Sequence, residues 1–411
     1  MMLESNSLLL ILFIVALFIG WLIARFPPKE LWQRFSRRSW HQSYQRGLQF
    51  LLNEQADHAI ESLVSTWSVN SENFDLHNAL ANMLRRKGEV ARAIAIHTNL
   101  LTVSKTSAFT PSQLRLATTE LARDFIHAGL LDRAERLLIN VVNSSKEIEE
   151  AALQLLLRIY QKEKEWEKAI MVAEQLYPHD KISVNDRTLY AGKQAKDIAH
   201  FYCEIATDSL KQDDFILAEQ AINQALKKDK SSARATLLEA ELHFERSNDE
   251  LAINALKRLP SQDAKLLVEA LPLLENYLQY QPALSLALLT QWQQNYPSVA
   301  LEKAIFEIML ITDHDHAGAQ LEVYLRQRPT LKGLDFFIDA QNKIEWPQER
   351  GLTDVSRENI ALVHRLVKDV LKGKLSYQCN KCGFSGNQLH WQCPQCHQWD
   401  TIRRLRGPES D

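Results

Sequence analysis

Four cysteines near the C-terminal end of the chain form two C-x2-C pairs; they are Cys379, Cys382, Cys393 and Cys396. A C-x2-C pair places two thiolates on one side of a tight turn. A second pair facing it completes the tetrahedral sulfur shell that zinc or iron prefers. Gly383 follows the first pair and suits a turn that needs a positive φ, whereas the second pair is followed by His397. The spacing predicts one metal ion, zinc or iron, with two disulfides as the alternative.

The choice between metal and disulfides depends on the compartment, and the N-terminal region bears on it. Residues 8–24 are apolar except for Gly20 and give roughly 26 Å of helix, long enough to span a bilayer. The residues before this run contain Glu4 and no Lys or Arg, which disfavours a cleaved signal peptide, while a cluster of Lys and Arg follows it. We therefore predict a transmembrane anchor over residues 1–25, with the N-terminus outside and the bulk of the chain in the reducing cytoplasm. A reducing compartment favours the metal site.

Composition between the two ends favours an elongated all-helical body. The chain has only twelve Gly and twelve Pro, and no window before the cysteines shows sustained alternation of apolar and polar residues. The net charge of −3 argues against a nucleic-acid partner, because such proteins usually carry a basic excess.

An internal repeat runs through this body. A small residue within a helix recurs with spacings of 34, 41, 35, 49, 34 and 35 residues, at Ala59, Ala93, Ala134, Ala169, Ala218, Ala252 and Ala287. The spacings cluster at the tetratricopeptide period of about 34 residues. A second small residue is expected twelve positions upstream, and a large apolar wedge nine positions upstream. We predict an all-α tetratricopeptide-repeat superhelix over residues 43–340, with its last units degenerate.

Such a stack has a concave surface that binds polypeptide. The register of the repeats places amide and cationic side chains on it, without a carboxylate among them. This set suits an acidic partner segment, because Arg binds carboxylates bidentately. The alternative is an ordinary solvated helix face. The predicted partner-binding residues are Asn78, Asn82, Arg85, Arg86, Arg123 and Arg158.

Two connecting regions complete the organisation. Residues 26–42 mix Trp and Phe with Arg, which is typical of a helix in the lipid headgroup layer or of a basic linker. Residues 341–375 break at Pro347 and Gly351 and then form a helix from about Ser356 to Leu371. The metal-binding hairpin follows over residues 376–411. We expect Tyr377, Phe384, Trp391 and Trp399 to pack around the metal.

Little in the sequence indicates an enzyme. The chain contains no Gly-rich phosphate loop, nucleophile elbow or helical His-Glu zinc motif. His314 and His316 are expected to be solvent-exposed. Cys203, the one cysteine outside the quartet, lies in an apolar helical stretch and is expected to be an inert packing residue.

The order of anchor, repeats and cysteine hairpin resembles the lipopolysaccharide assembly protein B family (LapB, also called YciM) of Gram-negative bacteria. Specific strings carry the resemblance: RGLQFLLNEQADHAI at residues 46–60, RRKGEVARAIAIH at 85–97, ARDFIHAGLLDRAE at 122–135, IAHFYCEIA at 198–206 and YQCNKCGFSGNQLHWQCPQC at 377–396. The resemblance covers nearly the whole chain and includes segments outside the repeats.

The resemblance implies a single-pass protein of the cell inner membrane, with a periplasmic N-terminus, a cytoplasmic bulk and no catalytic activity. It implies an adaptor that brings the deacetylase LpxC to the membrane protease FtsH and so restrains lipopolysaccharide synthesis. PbgA (YejM) is implied as an antagonist, and lipopolysaccharide is a further candidate contact. The C-terminal hairpin would be a rubredoxin-like metal-binding domain that packs on the repeats, with the four cysteines as its ligands.

Two alternatives to the adaptor remain open at this stage. One is rubredoxin-type electron transfer, since both cysteine pairs resemble those of the iron proteins. Only ten residues separate Cys382 from Cys393, however, which leaves little protein wall to tune a potential. The other is a general scaffold for envelope assembly.

Overall fold

The structure is a computed structural model, and it describes residues 14–18, 21, 71–103, 109–142, 146–176, 184–341 and 354–407. The chain divides into two compact units, Met1–Ile159 and Tyr160–Asp411. Of the predicted anchor, residues 14–18 and 21 are described, and they are helical and exposed. Within the described ranges, no helix combines the length and the apolar character needed to cross a membrane. The 26–42 linker and the first repeat around Ala59 lie outside the described residues.

The first unit contains consecutive helix pairs. Its helices are α1 (Phe74–Arg86), α2 (Val90–Val103), α3 (Pro111–His127), α4 (Leu131–Val142) and the beginning of α5 (Lys146–Glu163). The N-terminus of α3 is fixed by a capping box between Thr110 and Gln113, followed by Pro111 in the first turn.

The second unit continues the helices and ends in a small sheet. It contains the end of α5, then α6 (Trp166–Leu176), α7 (Val184–Leu210), α8 (Phe215–Lys228), α9 (Ala233–Glu245), α10 (Asp249–Leu256), α11 (Leu259–Asp263), a 3-10 helix (Ala264–Ala270), α12 (Leu271–Tyr280), α13 (Pro282–Asn295), α14 (Val299–Thr312), α15 (His314–Gln327), α16 (Leu331–Gln341) and α17 (Asp354–Leu371). Strands β1 (Tyr377–Cys379), β2 (Ser385–Gly386) and β3 (Ile402–Arg404) form an antiparallel sheet with β1 in the centre. Helix α17 begins within two residues of its predicted start.

The repeat alanines have the burial that the repeat predicts. Ala93, Ala134, Ala169, Ala218 and Ala252 are all completely buried. The small residues twelve positions upstream are completely buried as well, at Ala81, Ala122, Ala206 and Ala240. A methyl group at both positions lets the two helices of a pair approach closely, which explains why the period is visible in the sequence.

The same turn joins the two helices of each of these pairs. Five residues before each repeat alanine the backbone has a positive φ, at Gly88, Gly129, Lys164, Asp213 and Ser247. The next N–H then donates to a carbonyl five residues back, as Glu89 does to Leu84 and Leu130 does to Phe125. This is a Schellman ending, which satisfies the last carbonyls of the first helix. The accepting carbonyl belongs to the predicted wedge position, so one short segment fixes both the turn and the wedge.

The prediction at Ala287 is wrong, because this residue is exposed. Pro282 occupies the place of the positive-φ residue, and its ring fixes φ near −65°. The left-handed turn is therefore impossible there, and Pro282 instead begins α13 directly after Gln281. The buried small residue in this helix is Ser285.

Candidate metal centre

Both cysteine pairs fold into the same local turn. The amide of Cys379 donates to the carbonyl of Phe384 at 2.7 Å, and that of Cys393 donates to Gln398 at 2.9 Å. Four residues after the first cysteine of each pair the backbone is left-handed, with φ of +78° at Gly383 and +55° at His397. The predicted role of Gly383 is confirmed. His397 adopts the same conformation despite its side chain, so the two turns are equivalent.

The four sulfur atoms converge on one point between the turns. Cys379 Sγ lies 3.7 Å from Cys396 Sγ, and Cys382 Sγ lies 3.6 Å from Cys393 Sγ. All four Sγ atoms lie within 4.8 Å of one another. A tetrahedral shell with metal–sulfur bonds of about 2.3 Å has edges of about 3.8 Å, whereas a disulfide needs about 2.05 Å. The cysteines are unpaired, and their arrangement is that of ligands to one metal ion.

The electrostatics of the thiols fit a bound cation. Burial by itself raises the pKa of Cys379, but the hydrogen bond with the Thr401 hydroxyl and those from backbone amides of the turn lower it to about 6. A backbone hydrogen bond from Phe384 lowers the pKa of Cys382, but burial and the three neighbouring sulfurs outweigh it and raise the pKa to about 12. Four thiolates so close together repel one another unless a cation lies among them. Zinc or iron would hold the two turns together, and all four coordination positions would be thiolate, as in a structural site.

The hairpin has a very small core of its own. Tyr377, Cys379, Cys393 and Ile402 form its buried cluster, and Phe384 packs against them. Trp391 and Trp399 do not belong to this cluster, so the prediction that they pack around the metal is wrong for these two residues. Both side chains pack against the helices instead, which offer a much larger apolar surface.

The first attachment of the hairpin is to α6 and α7. The ring of Trp399 stacks on His200 and meets Trp166 and Phe201 edge-on, with centroid distances of 4.9, 6.3 and 6.0 Å. His200 Nε2 lies 2.9 Å from Asp400 Oδ2. Burial alone would raise the pKa of Asp400, but the hydrogen bond to His200 and its charge outweigh it and lower the pKa. Two consecutive hairpin residues thus hold one buried histidine.

The second attachment is to α9 and the core of the second unit. Trp391 and Leu389 pack against the large apolar cluster that contains Leu237, Leu267 and Leu288. The guanidinium of Arg234 lies 5.4 Å from the centre of the Trp391 ring, a cation–π distance. The metal hairpin is therefore part of the hydrophobic core of this unit.

The third attachment runs along β1 and β3. The Tyr377 hydroxyl donates to Glu269 at 2.7 Å, and Arg404 binds the same carboxylate at 3.2 Å. Arg406 donates to the hydroxyl of Tyr296 at 2.9 Å. Burial and the hydrogen bond to Glu269 raise the pKa of Tyr377 to about 12, which keeps the phenol protonated as a donor. Polar contacts thus fix the orientation of the docked sheet.

The predicted partner-binding residues differ in how deeply they are buried, and Arg85 is the one that is buried. Arg86 and Arg158 are exposed. Asn78, Asn82 and Arg123 are half-buried, and Asn78 Oδ1 lies 3.1 Å from His97 Nε2. Whether these residues bind a partner stays a prediction.

Arg85 differs from the expectation because it is buried among carboxylates. Its guanidinium lies 2.7 Å from Asp124 Oδ1 and 2.8 Å from Glu120 Oε2. Arg123 also contacts Glu120, at 2.5 Å, and His97 contacts Asp124 at 2.5 Å. The prediction that these cations occur without carboxylates is wrong here. The acidic groups come from α3, and the repeat register alone gives no sign of their approach.

The remaining cysteine and the histidine pair agree with the sequence. Cys203 is completely buried, and desolvation raises the pKa of its thiol to about 12, as expected for an inert packing residue. His314 and His316 are exposed. The docking residues His200, Asp400, Glu269 and Arg234 were not singled out from the sequence, where no spacing marks them.

Two comparisons give low structural similarity. A crystal structure of MamA protein aligns with a TM-score of 0.31 and 16% identity, covering 47% of this chain and 94% of that one. A tetratricopeptide repeat protein from Parabacteroides merdae aligns with a TM-score of 0.32 and 14% identity, covering 72% and 99%. With TM-scores this low, neither alignment supports a conclusion about function or detailed architecture.

Sequence comparison is much more informative. Residues 377–404 match a family described as a rubredoxin metal binding domain. The chain is 31% identical over 409 residues to Lipopolysaccharide assembly protein B of Escherichia coli K12, covering 98% of both chains. It is 30% identical over 414 residues to the protein of the same name from Haemophilus influenzae, covering 98% of this chain and 99% of that one. The chain belongs to the lipopolysaccharide assembly protein B family.

Proposed function

We propose that this protein is an adaptor of the inner membrane that restrains lipopolysaccharide synthesis by bringing LpxC to the protease FtsH. The observation that carries the proposal is identity along the full length of Lipopolysaccharide assembly protein B, including the cysteine hairpin. The family resemblance supplies the two partners, and it adds PbgA (YejM) as an antagonist. The relatives' name supports a role in lipopolysaccharide assembly.

The geometry supports an adaptor rather than an enzyme. A catalytic zinc site keeps a coordination position open for water or substrate, whereas all four positions here are cysteine sulfurs. The hairpin is docked against helices by aromatic stacking, ion pairs and apolar packing. A metal centre with four protein ligands stabilises the fold of the hairpin and so keeps its surface in one conformation, which suits a role in binding.

Membrane attachment belongs to the same proposal. The apolar run at residues 8–24 and the basic residues after it support a single-pass anchor with a periplasmic N-terminus. Sharing the plane of a membrane protease raises the effective concentration of an adaptor. A variant without residues 1–25 is therefore expected to fold and yet to promote LpxC turnover less well.

The test measures the half-life of LpxC in cells whose own copy of this protein is replaced by a variant. Cys393→Ser should lengthen the half-life, because a hairpin that loses its metal loses its folding free energy, on the order of 10 kcal/mol. Cys203→Ala is the matched control, since it removes a buried thiol that is not a ligand. A normal half-life in a metal-free Cys393→Ser protein would overturn the proposal that the hairpin serves the adaptor.

Electron transfer is a second candidate, favoured by the match to a rubredoxin metal binding domain. It requires iron, because zinc has no accessible redox change. Aerobic purification separates the two, since an iron–thiolate centre is coloured and a zinc centre is not. A colourless protein that retains its effect on LpxC would eliminate this candidate.

A further inference from the structure

A cavity of about 510 Å³ opens at the junction of the metal hairpin and the helices. Some of its lining residues come from α9, the 3-10 helix and α12, and the others come from Tyr377 and the hairpin segment 387–391. We refer to it as the junction cavity. Its size lies in the range of ligand-binding pockets, about 300 to 1,000 Å³. Because both parts of the unit contribute walls, the cavity exists only while the hairpin is folded and docked.

The junction cavity is partly apolar. Leu237 and Leu238 from α9, Leu273 from α12, and Leu389 and Trp391 from the hairpin line it. Leu273, Leu389 and Trp391 are only half-buried, so apolar surface stays accessible from solvent. A ligand that covers this surface would gain about 25 cal/mol for each Å² removed from water.

The charge of the cavity is negative. Glu241 and Glu269 line it together with Arg234, so carboxylates outnumber cations. Glu269 is paired with Arg404, whereas Glu241 has no ion-pair partner among the described residues. Burial, followed by the nearby charge of Glu245, raises the pKa of Glu241, while Lys211 opposes this shift. Lys211 is exposed and contacts Asp208 at 3.5 Å, so it compensates Glu241 only in part. The ionised carboxylate thus lies in a half-buried position that an incoming cation would stabilise.

The cations near the cavity are already engaged. Arg234 binds Glu204 at 2.9 Å and stacks on Trp391, and Arg404 binds Glu269 at 3.2 Å. Arg234 lines the cavity but is almost completely buried, and its charge is already paired with Glu204. An anionic ligand would therefore find no free cation to bind among the described residues that line the cavity. A ligand that carries an apolar group beside a cation matches the apolar residues and the carboxylate of Glu241.

Two amide side chains also line the cavity. Asn387 and Gln388 are exposed on the hairpin wall, where their side chains can both donate and accept hydrogen bonds. Such groups suit the backbone of a peptide, which presents donors and acceptors in alternation. Apolar lining residues, one carboxylate without an ion-pair partner among the described residues and two exposed amides together describe a peptide-binding pocket.

We propose that the junction cavity binds a partner polypeptide segment in which an apolar side chain lies beside a lysine or an arginine. The apolar side chain covers Leu273 and Trp391, the cation pairs with Glu241, and Asn387 and Gln388 bind the backbone. This inference deepens the proposed adaptor function, since it states which kind of segment the adaptor holds. The metal would then be needed for recognition, because it stabilises the hairpin whose residues line part of the cavity.

The test uses an array of synthetic hexapeptides and the purified, zinc-loaded full-length protein. In each peptide Leu, Phe or Met is followed within three positions by Lys, Arg, Gln or Glu. The Lys and Arg members should bind about fivefold to tenfold more tightly than their Gln counterparts, as expected for one charge-assisted contact. Glu241→Gln should abolish this preference. An equal affinity for all four classes, or an unchanged preference in Glu241→Gln, overturns the proposal.

Two further variants make the result specific. Glu239→Gln is the matched control, because it changes the same charge on the same helix at a residue that pairs with Arg258 outside the cavity. It should retain the preference for cations. Gln388→Trp should obstruct the cavity with a larger side chain and weaken the binding of every peptide, and undiminished binding in this variant also contradicts the proposal. Peptide binding and LpxC half-life are separate measurements, so failure of the array leaves the adaptor proposal standing.

Discussion

The indole ring of Trp399 lies nearly parallel to the imidazole of His200, with an interplanar angle of 11° and centroids 4.9 Å apart. The neighbouring Asp400 reaches the edge of the same imidazole at 2.9 Å. His200 lies on α7 and is almost completely buried, whereas Trp399 and Asp400 belong to the hairpin. The contact therefore joins residues 200 positions apart and ties the metal centre to the helices.

Two substitutions of His200 should separate stacking from hydrogen bonding. His200→Phe retains an aromatic ring for Trp399, while His200→Ala removes both interactions. We expect roughly 1–3 kcal/mol of docking stability to depend on the hydrogen bond to the charged group and about 1 kcal/mol on the stacking. Hydrogen exchange of the hairpin amides should rise in His200→Phe and rise further in His200→Ala. Identical protection in both variants and the native protein would contradict this account.

The same contact predicts a loss of docking in acid. The pKa of Asp400 is lowered from 3.8, since the interaction with His200 outweighs burial. A carboxylate with a depressed pKa stabilises the folded state above its unfolded pKa, and this contribution is lost as the pH falls through the folded pKa. Protection of the hairpin amides should therefore decline below about pH 4. Asp400→Asn should make the protection of the hairpin amides less dependent on pH. If the pH profile of this variant is unchanged, the decline is caused by other groups.

Arg85 and Arg86 should behave in opposite ways although they are adjacent. Arg85 is enclosed by Glu120 and Asp124, so Arg85→Ala leaves buried carboxylates without a counter-charge and should cost about 3–5 kcal/mol. Arg86 is exposed, and Arg86→Ala should change stability by less than about 0.5 kcal/mol. Denaturation followed by circular dichroism measures both. If Arg86→Glu weakens partner binding while stability is retained, the predicted surface gains support.

Local spacing explains what the sequence could predict. The four cysteines and the repeat alanines each depend on neighbours within a turn or a helix pair, and the structure has the predicted arrangement for the cysteines and for the alanines from Ala93 to Ala252. The prediction at Ala287 is wrong because Pro282 changes the turn, a feature that is readable from the sequence. The pairing of Arg85 with Glu120 could not be read from spacing, since it depends on how successive helix pairs pack.

Two glycine-to-alanine substitutions should change local stability with opposite signs. Gly129 has φ of +77° and Gly192 lies within α7, and in both cases a new methyl group would meet no atom within 4 Å. Gly129→Ala should destabilise the turn between α3 and α4 by about 1–2 kcal/mol, because alanine resists the left-handed conformation. Gly192→Ala should stabilise its helix by about 0.5–1 kcal/mol. Native-state hydrogen exchange of α4 and α7 reports each effect, and equal signs would contradict the turn geometry.

Glu302 should make α14 less stable as the pH rises. Its side chain is almost completely buried, and Gln293 donates to Oε2 at 2.9 Å, but Oε1 has no partner among the described residues. Burial, only partly offset by the hydrogen bond from Gln293, raises the pKa from 4.5 to about 7.

Between these two values the folded state binds the proton more tightly than the unfolded state, so stability falls as the pH increases through this window. The loss should be on the order of 3 kcal/mol and should be complete above about pH 7. Glu302→Gln keeps the shape and the acceptor for Gln293 while removing the charge. Hydrogen exchange of the α14 amides between pH 5 and 8, corrected for the intrinsic rate, should lose its dependence on pH in this variant. A slope that persists in Glu302→Gln would show that another group titrates in this helix.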